Sequence, residues 1–307
     1  MDNLQQSIIK TIAYFDIFHY PRKTAEIKAF MDTPCNNEAL NAALAALLKE
    51  KILFKHHEFY QLKHDDSLVT ERFKANKLAE KHLAKARKIA VFLNWFPFVK
   101  GIAVSGSLSK KVAGNKSDYD FFIITAYNHL WICRFLLSLL MKFAALLNLK
   151  KYFCINYMVD ESYLEVEEKN IFTATEIATL MPLHGAKVFT AFFTANKWIY
   201  TYFPNMEFIE TDIQDRRKNI FTRLAEWLLH NKAGAKADNM LMHYFEKRWI
   251  KMMDKNEHNE SGFLLGSMMV DKHYCRPCPH HYQQKILSLH REKIQKLITH
   301  LSIAHRA

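Results

Sequence analysis

The amino-acid sequence predicts an α+β protein, with a small mixed sheet between a helical N-terminal module and an all-α C-terminal region. Three observations lead to this prediction. Apolar residues recur at helical spacing over about the first 50 residues. Short runs of β-branched and aromatic residues, typical of strands, lie in the middle of the chain. After Glu161 the helical spacing returns and dominates to the C-terminus.

Composition and charge restrict the class of protein. The chain has 307 residues, of which 50% are hydrophobic and 24% charged, and it contains seven Gly and seven Pro. These values exclude collagen-like and disordered classes. The 43 Lys and Arg residues against 31 Asp and Glu leave a net charge of +12, which favours polyanionic partners. Five cysteines without a recognisable secretory leader predict a cytoplasmic location.

One apolar segment, residues 129–149, has almost the length of a membrane span. Arg134, Ser138 and Lys142 recur in it at intervals of four and form a polar stripe. Because charges at the centre of a bilayer are costly, we predict an amphipathic helix packed on the sheet and no transmembrane segment.

Residues 1–66 are predicted to form three helices followed by a two-stranded hairpin. The first helix stops before Pro21, the third begins near Asn36, and the hairpin turns near His56 and His57. This order resembles a winged helix-turn-helix module, which implies DNA binding through the third helix. Its predicted exposed residues carry no Lys or Arg, so nucleic acid is a weaker prediction here than a structural or protein-contact role. These exposed residues are Glu38, Asn41, Ala42 and Ala45.

Residues 67–165 are predicted to hold a long helix and the strands of the sheet. The helix runs from Ser67 to about Phe96 and is ended by Pro97. Three strand-like segments follow: "FVKGIAVSGSLS", in which a strand runs into a turn, then "SDYDFFIIT" and "KYFCINYMVD". Residues 166–307 are predicted to be all helical, which completes a division into three domains at 1–66, 67–165 and 166–307.

The second strand carries two aspartates, Asp118 and Asp120, which are two residues apart and therefore project from the same face. Two neighbouring carboxylates repel each other unless a cation lies between them, either a basic side chain or a metal ion. The Gly106–Ser107 turn precedes them at the end of the first strand. Glycine lets backbone approach a phosphate closely, Ser107 offers a hydroxyl, and the helix that begins there offers free N–H groups.

This arrangement of a Gly-Ser turn, ten intervening residues and Asp-x-Asp in an apolar strand resembles the nucleotidyltransferase superfamily. The resemblance covers about a sixth of the chain and implies that Asp118 and Asp120 bind Mg²⁺, as a two-metal site, with an NTP as substrate. It also implies that Gly106 and Ser107 bind the phosphates, and Lys110 is a candidate to neutralise them.

A third carboxylate, which serves as general base or metal ligand in that superfamily, is expected on the next strand. The corresponding central position is Asn156, whose amide cannot take up a proton in this role. Asp160 shares the strand face of Asn156 but lies four residues further on. Three alternatives follow: Asp160 or Glu161 supplies the group, two carboxylates suffice, or catalysis is lost. We take Asp160 as the candidate catalytic residue.

The sequence therefore predicts a magnesium-dependent nucleotidyltransferase that moves a nucleoside monophosphate from an NTP to a hydroxyl-bearing acceptor. The alternative is a catalytically degenerate relative that binds a nucleotide, nucleic acid or protein. A separate, weaker candidate is a zinc site in "DKHYCRPCPHH", where a Cys-x-x-Cys pair lies among histidines.

Overall fold

The described part of the chain is an α+β protein with a mixed sheet. This computed structural model describes residues 1–114, 117–209, 211, 213, 215–253, 267–278 and 282–304. The α+β class predicted from the sequence is confirmed.

Three helices and a small antiparallel sheet form from residues 1–66. The elements are α1 (Asn3–Asp16), β1 (Arg22–Lys23), α2 (Thr24–Ala29), α3 (Asn37–Lys49), β2 (Phe54–His56) and β3 (Phe59–Gln61). The strands pair in the order β1–β3–β2. Glu38, Asn41, Ala42 and Ala45 of α3 are exposed as predicted, and they offer no positive charge. The winged-helix interpretation of this region stays a prediction.

Residues 67–165 contain the long helix and three strands that the sequence predicted. The elements are α4 (Ser67–Leu93), β4 (Val99–Val104), α5 (Gly106–Ser109), β5 (Asp120–Thr125), α6 (Leu130–Leu146) and β6 (Cys154–Asp160). A single 3-10 turn at Lys150–Tyr152 joins α6 to β6.

The remainder of the chain is largely helical but is not all-α. Its elements are α7 (Ile171–Ala178), β7 (Met181–His184), α8 (Ala186–Ala195), α9 (Ile199–Tyr202), α10 (Ile220–Leu229), α11 (Lys232–Met253), β8 (Ser267–Val270), β9 (Tyr274–Cys278) and α12 (Tyr282–Ala304). The prediction of an all-helical region after residue 166 is therefore wrong for three short strands. Each of these strands has four or five residues. Pro182 in β7 is typical of the end of a strand, although a strand at the edge of a sheet, such as β7, tolerates a proline.

The central sheet has six strands in the described ranges, in the order β7–β4–β5–β6–β9–β8. β5 and β6 run parallel, and every other described neighbouring pair in this sheet is antiparallel. The strands predicted from the sequence are thus the three central ones, and strands from residues 181–278 flank them on both sides.

Helices cover both faces of this sheet, so alternate residues of β4 and β5 enter two different apolar clusters. Ile102, Val104, Phe121 and Ile123 pack with side chains of α4, α6 and α11. Ala103, Phe122 and Ile124 pack with side chains of α7 and α8 on the other face. Burial on both faces explains why "DFFIIT" reads as a continuous apolar run rather than as an alternating one.

Helix α6 packs on the sheet and is held at its N-terminus by α11. Arg134, predicted to lie on a polar stripe, is buried and donates from Nη1 to the carbonyl of Ile155 at 3.3 Å. Within the described ranges, no helix combines the length and apolar character that crossing a bilayer requires.

The buried carboxylate of Asp238 accepts the backbone N–H of Ile132 at 2.7 Å, in the first turn of α6. Asp238 therefore caps a helix that belongs to a distant part of the sequence.

We expect Asp238→Ala to lower the free energy of unfolding by about 1–2 kcal/mol, since it leaves the cap of α6 unmade. Burial raises the pKa of Asp238 to about 6 from 3.8, despite the backbone hydrogen bonds of Ile132 and Trp131. A raised carboxyl pKa means that the folded state loses stability as the pH rises from about 4 to about 6. Asp238→Asn keeps an acceptor and removes this loss.

Urea unfolding of the three proteins between pH 4 and pH 7 measures both effects. The stability of Asp238→Asn relative to the natural protein should increase with pH. A difference that stays constant over this range, or a fully stable alanine variant, would contradict the role of Asp238.

Candidate functional site

The Gly-Ser turn at the end of β4 is shaped by the side chain of Asp120. Gly106 has φ +66°, in the left-handed region that favours glycine. A Cβ atom built on Gly106 would lie 2.3 Å from Oδ2 of Asp120. The backbone N–H of Ser105 donates to the carbonyl of Asp120 at 2.9 Å, which fixes β4 against β5 here. Glycine at position 106 thus makes room for the carboxylate.

The residues after Gly106 form the four-residue helix α5 and place one cation beside the turn. The side chain of Ser107 is exposed. Lys110 Nζ donates to the carbonyl of Gly106 at 3.1 Å and to Oε1 of Glu176 at 2.7 Å. The structure thus brings Gly106, Lys110 and Asp120, all predicted to be site residues, into one small region.

Strand β5 begins at Asp120, so Asp118 lies just before the strand and not within it. The projection of both aspartates from one face stays a prediction. Asp118 is exposed, Asp120 is half-buried, and Tyr119 between them is fully buried. Burial raises the pKa of Asp120 to about 6, although hydrogen bonds from Asn156 and Cys154 act in the opposite direction. The negative charges of Asp118 and Glu176 add to the rise. Two neighbouring carboxylates therefore act on Asp120.

Asn156 reaches Asp120 because β6 carries a β-bulge. Phe121 pairs with Ile155 and Phe122 pairs with Tyr157, so Asn156 is the extra residue between them. A bulge of this kind redirects a side chain, and such bulges are common beside active sites. Nδ2 of Asn156 donates to Oδ1 of Asp120 at 2.6 Å. Sγ of Cys154 contacts the amide oxygen of Asn156 at 3.1 Å, which is consistent with this orientation of the amide.

Asp160 does not meet the other predicted site residues. It pairs with Thr125, whereas Asp120 pairs with Cys154, so it lies at the far end of the two strands, roughly 16 Å away at strand rise. Its carboxylate is fully buried and accepts the backbone N–H of Ser162 at 2.9 Å. Its second oxygen lies 2.8 Å from Nδ1 of His273. Asp160 thus joins β6 to the segment before β9.

Glu176 is the carboxylate that sequence reasoning missed. It lies on α7, far from the Asp-x-Asp pair in sequence, and Lys110 joins it to the Gly106 turn. A signal was present, because Glu176 is the single charged residue in the otherwise apolar and hydroxyl-bearing α7. Its relation to Asp120, however, depends on how α7 packs against the sheet, which the sequence does not show.

The donor set can be tested against the magnesium ion that the motif implies. Among the described residues, no group of three or more His, Cys, Asp or Glu side chains is placed to bind a metal ion. Mg²⁺ is commonly held by one or two carboxylates together with substrate phosphates and water. The exposed Asp118 and the half-buried Asp120 supply two such carboxylates, so the site fits an ion that arrives with a nucleotide.

Of the residues proposed for a zinc site, the structure describes the side chains of His273 and Cys275. His273 is engaged with Asp160, and Cys275 is fully buried in the sheet, where it pairs with Met158. His280 and His281 lie outside the described residues.

Comparison of the chain with models of protein families, with curated proteins and with solved structures finds no match. The interpretation of the site therefore depends on its own residues and geometry.

Replacing Gly106 with Ala should lower the free energy of unfolding by about 2 kcal/mol, since it combines a left-handed backbone with a close contact to Asp120. Gly114→Ala is the matched control, because a Cβ there would lie 3.8 Å from its nearest neighbour, Oγ of Ser117. Chemical unfolding of both variants checks this expectation. Equal stability of the two variants would show that the packing of Asp120 on Gly106 is not a constraint.

Proposed function

We propose that the protein is a magnesium-dependent nucleotidyltransferase, which transfers a nucleoside monophosphate from an NTP to a hydroxyl-bearing acceptor. One observation carries this proposal. Asp120 packs on the left-handed Gly106 turn while Asp118 stays exposed beside it, at the end of a strand–turn–helix–strand unit. Carboxylates adjacent to a phosphate-binding turn are what this transfer requires.

The reaction forms a bond between the acceptor oxygen and the α-phosphorus, breaks the α–β phosphoanhydride and releases pyrophosphate. Bound Mg²⁺ would neutralise the phosphates and polarise the reacting phosphoryl group. Asp118 and Asp120 would hold this ion, while the exposed hydroxyl of Ser107 and the ammonium of Lys110 would orient the triphosphate. Ser107 and Lys110 lie at the Gly106 turn, Asp120 begins the strand that packs against it, and Asp118 precedes that strand.

The acceptor hydroxyl must lose a proton, and we assign its uptake to Glu176. Oε1 of Glu176 is held by Lys110 and the carboxylate is partly exposed, so its other oxygen can face a substrate. A positioned carboxylate of this kind typically contributes 10²–10⁴-fold to a rate. In this proposal Glu176 takes the role of general base that was predicted for Asp160, because Asp160 lies at the opposite end of β6.

A second candidate function is nucleotide binding without transfer. Asn156 occupies the position where the motif leads us to expect a third carboxylate. Its amide donates a hydrogen bond to one carboxylate oxygen of Asp120. An amide at this position can orient Asp120 but cannot accept a proton. Binding and transfer must therefore be measured separately.

Two measurements test the proposal. They are thermal unfolding with each NTP and Mg²⁺, and pyrophosphate release with a panel of hydroxyl acceptors. At least one NTP should raise the unfolding temperature, and Asp120→Ala should abolish this rise because it removes a predicted metal ligand. Glu38→Ala, an exposed carboxylate on α3, is the control and should behave like the natural protein.

The two outcomes of this experiment separate the candidate functions. NTP binding with pyrophosphate release supports the transferase, whereas binding that depends on Asp120 without release with any acceptor supports the second candidate. Equal thermal shifts for the natural protein and Asp120→Ala would refute both.

Glu176→Gln should lower the rate of transfer by about 100-fold or more while NTP binding persists, since the amide cannot take up a proton. The matched control is Glu165→Gln, an exposed glutamate that pairs with Lys169. Single-turnover rates and thermal shifts with NTP, measured side by side, distinguish the two effects. If Glu176→Gln transfers at the natural rate, another group accepts the proton.

A further inference from the structure

Helix α10 is attached to the protein through its polar side. Asn219 caps it, accepting the backbone N–H of Thr222 at 2.7 Å. Thr222 is 3% exposed and donates its hydroxyl to the carbonyl of Trp95. Oε1 of Glu226, one turn further on, accepts the backbone N–H of Phe98 at 2.7 Å and also binds Lys218. Thr222 and Glu226 of α10 therefore point toward the protein.

The opposite side of α10 is apolar and exposed. Phe221 is 79% exposed and Trp227 is 74% exposed. Five residues at positions i, i+1, i+4, i+7 and i+8 form this surface, which we call the α10 apolar face: Ile220, Phe221, Leu224, Trp227 and Leu228. An amphipathic helix of a globular protein normally buries its apolar stripe, so α10 has the reverse orientation. A contiguous apolar surface of this kind usually marks an interaction site.

Basic residues precede, lie within and follow α10 in the sequence. The segment of residues 216–236 contains six Lys and Arg residues and one acid. The acid, Glu226, points inward and is paired with Lys218. The other five basic residues are exposed: Arg216, Arg217, Arg223, Lys232 and Lys236.

We infer that α10 binds the surface of an anionic lipid bilayer, with its apolar face among the acyl chains and the flanking cations at the headgroups. Exposed Trp, Phe and Leu beside Lys and Arg are the composition of interfacial helices. With ten residues, α10 is about 15 Å long, so it lies along the membrane plane and does not cross it. A second copy of the chain is a poorer occupant, because two such faces would bring the same five cations together.

Co-sedimentation with lipid vesicles tests this inference. The protein should bind vesicles of phosphatidylcholine containing about one third phosphatidylglycerol at least about tenfold more tightly than vesicles of phosphatidylcholine alone. The double variant Phe221→Ser/Trp227→Ser should lose at least about tenfold in affinity for the mixed vesicles. Arg216→Gln and Arg223→Gln should each reduce affinity about fivefold, with less effect at high salt.

Phe73→Ser, which changes an exposed phenylalanine on α4, is the matched control and should bind like the natural protein. Because the changed side chains are exposed, the variants should unfold at the same temperature as the natural protein. Natural protein that does not bind mixed vesicles, or a double variant that binds them fully, overturns the inference. A dimer that the double variant converts to a monomer overturns it as well, since the face would then join two copies.

Discussion

The carboxylate of Asp120 packs directly over the α-carbon of Gly106, and much of the site follows from this contact. It requires glycine and a left-handed turn where β4 ends, because any Cβ would enter the space of the carboxylate. It also removes Asp120 partly from water, which raises its pKa to about 6 and calls for donors on its other side. The bulge in β6 supplies that donor by turning the amide of Asn156 toward Asp120. The conformation of the turn, the bulge in β6 and the ionisation of Asp120 are thus coupled through this one contact.

The central part of the fold could be predicted because its signals are local. The apolar run after Asp120 predicts a strand, and the structure has β5 at this place. The edge strand at Met181–His184 was missed because four residues that include Pro182 carry too little pattern. Its pairing with β4 supplies the information that its own sequence lacks. Strand assignment here depended on partners distant in the sequence.

The same limit applies to the candidate site. Gly106, Asp118 and Asp120 were predicted from spacing, since the turn and the two strands that hold them are consecutive in the chain. Asp160 shares a strand face with Asn156 in the sequence pattern, but strand rise carries it to the other end of the sheet. Glu176 reaches the turn only through the packing of α7 and its ion pair with Lys110. A local motif therefore predicts the candidate site, whereas the carboxylate that lies beside the Gly106 turn depends on tertiary packing.

The order of strands in the central sheet has a consequence for how the chain is synthesised. β4, β5 and β6 leave the ribosome first, but β7 and β9, which pair with the open sides of β4 and β6, come later. Until those strands emerge, the nascent sheet has two unpaired edges, rich in apolar residues that are buried in the folded protein. Such edges readily pair with other chains. The sheet is completed only once residues 181–278 are available, so a fragment of residues 67–165 would be prone to aggregate. The central strands and the later region belong to one sheet, although the sequence predicts a boundary between them.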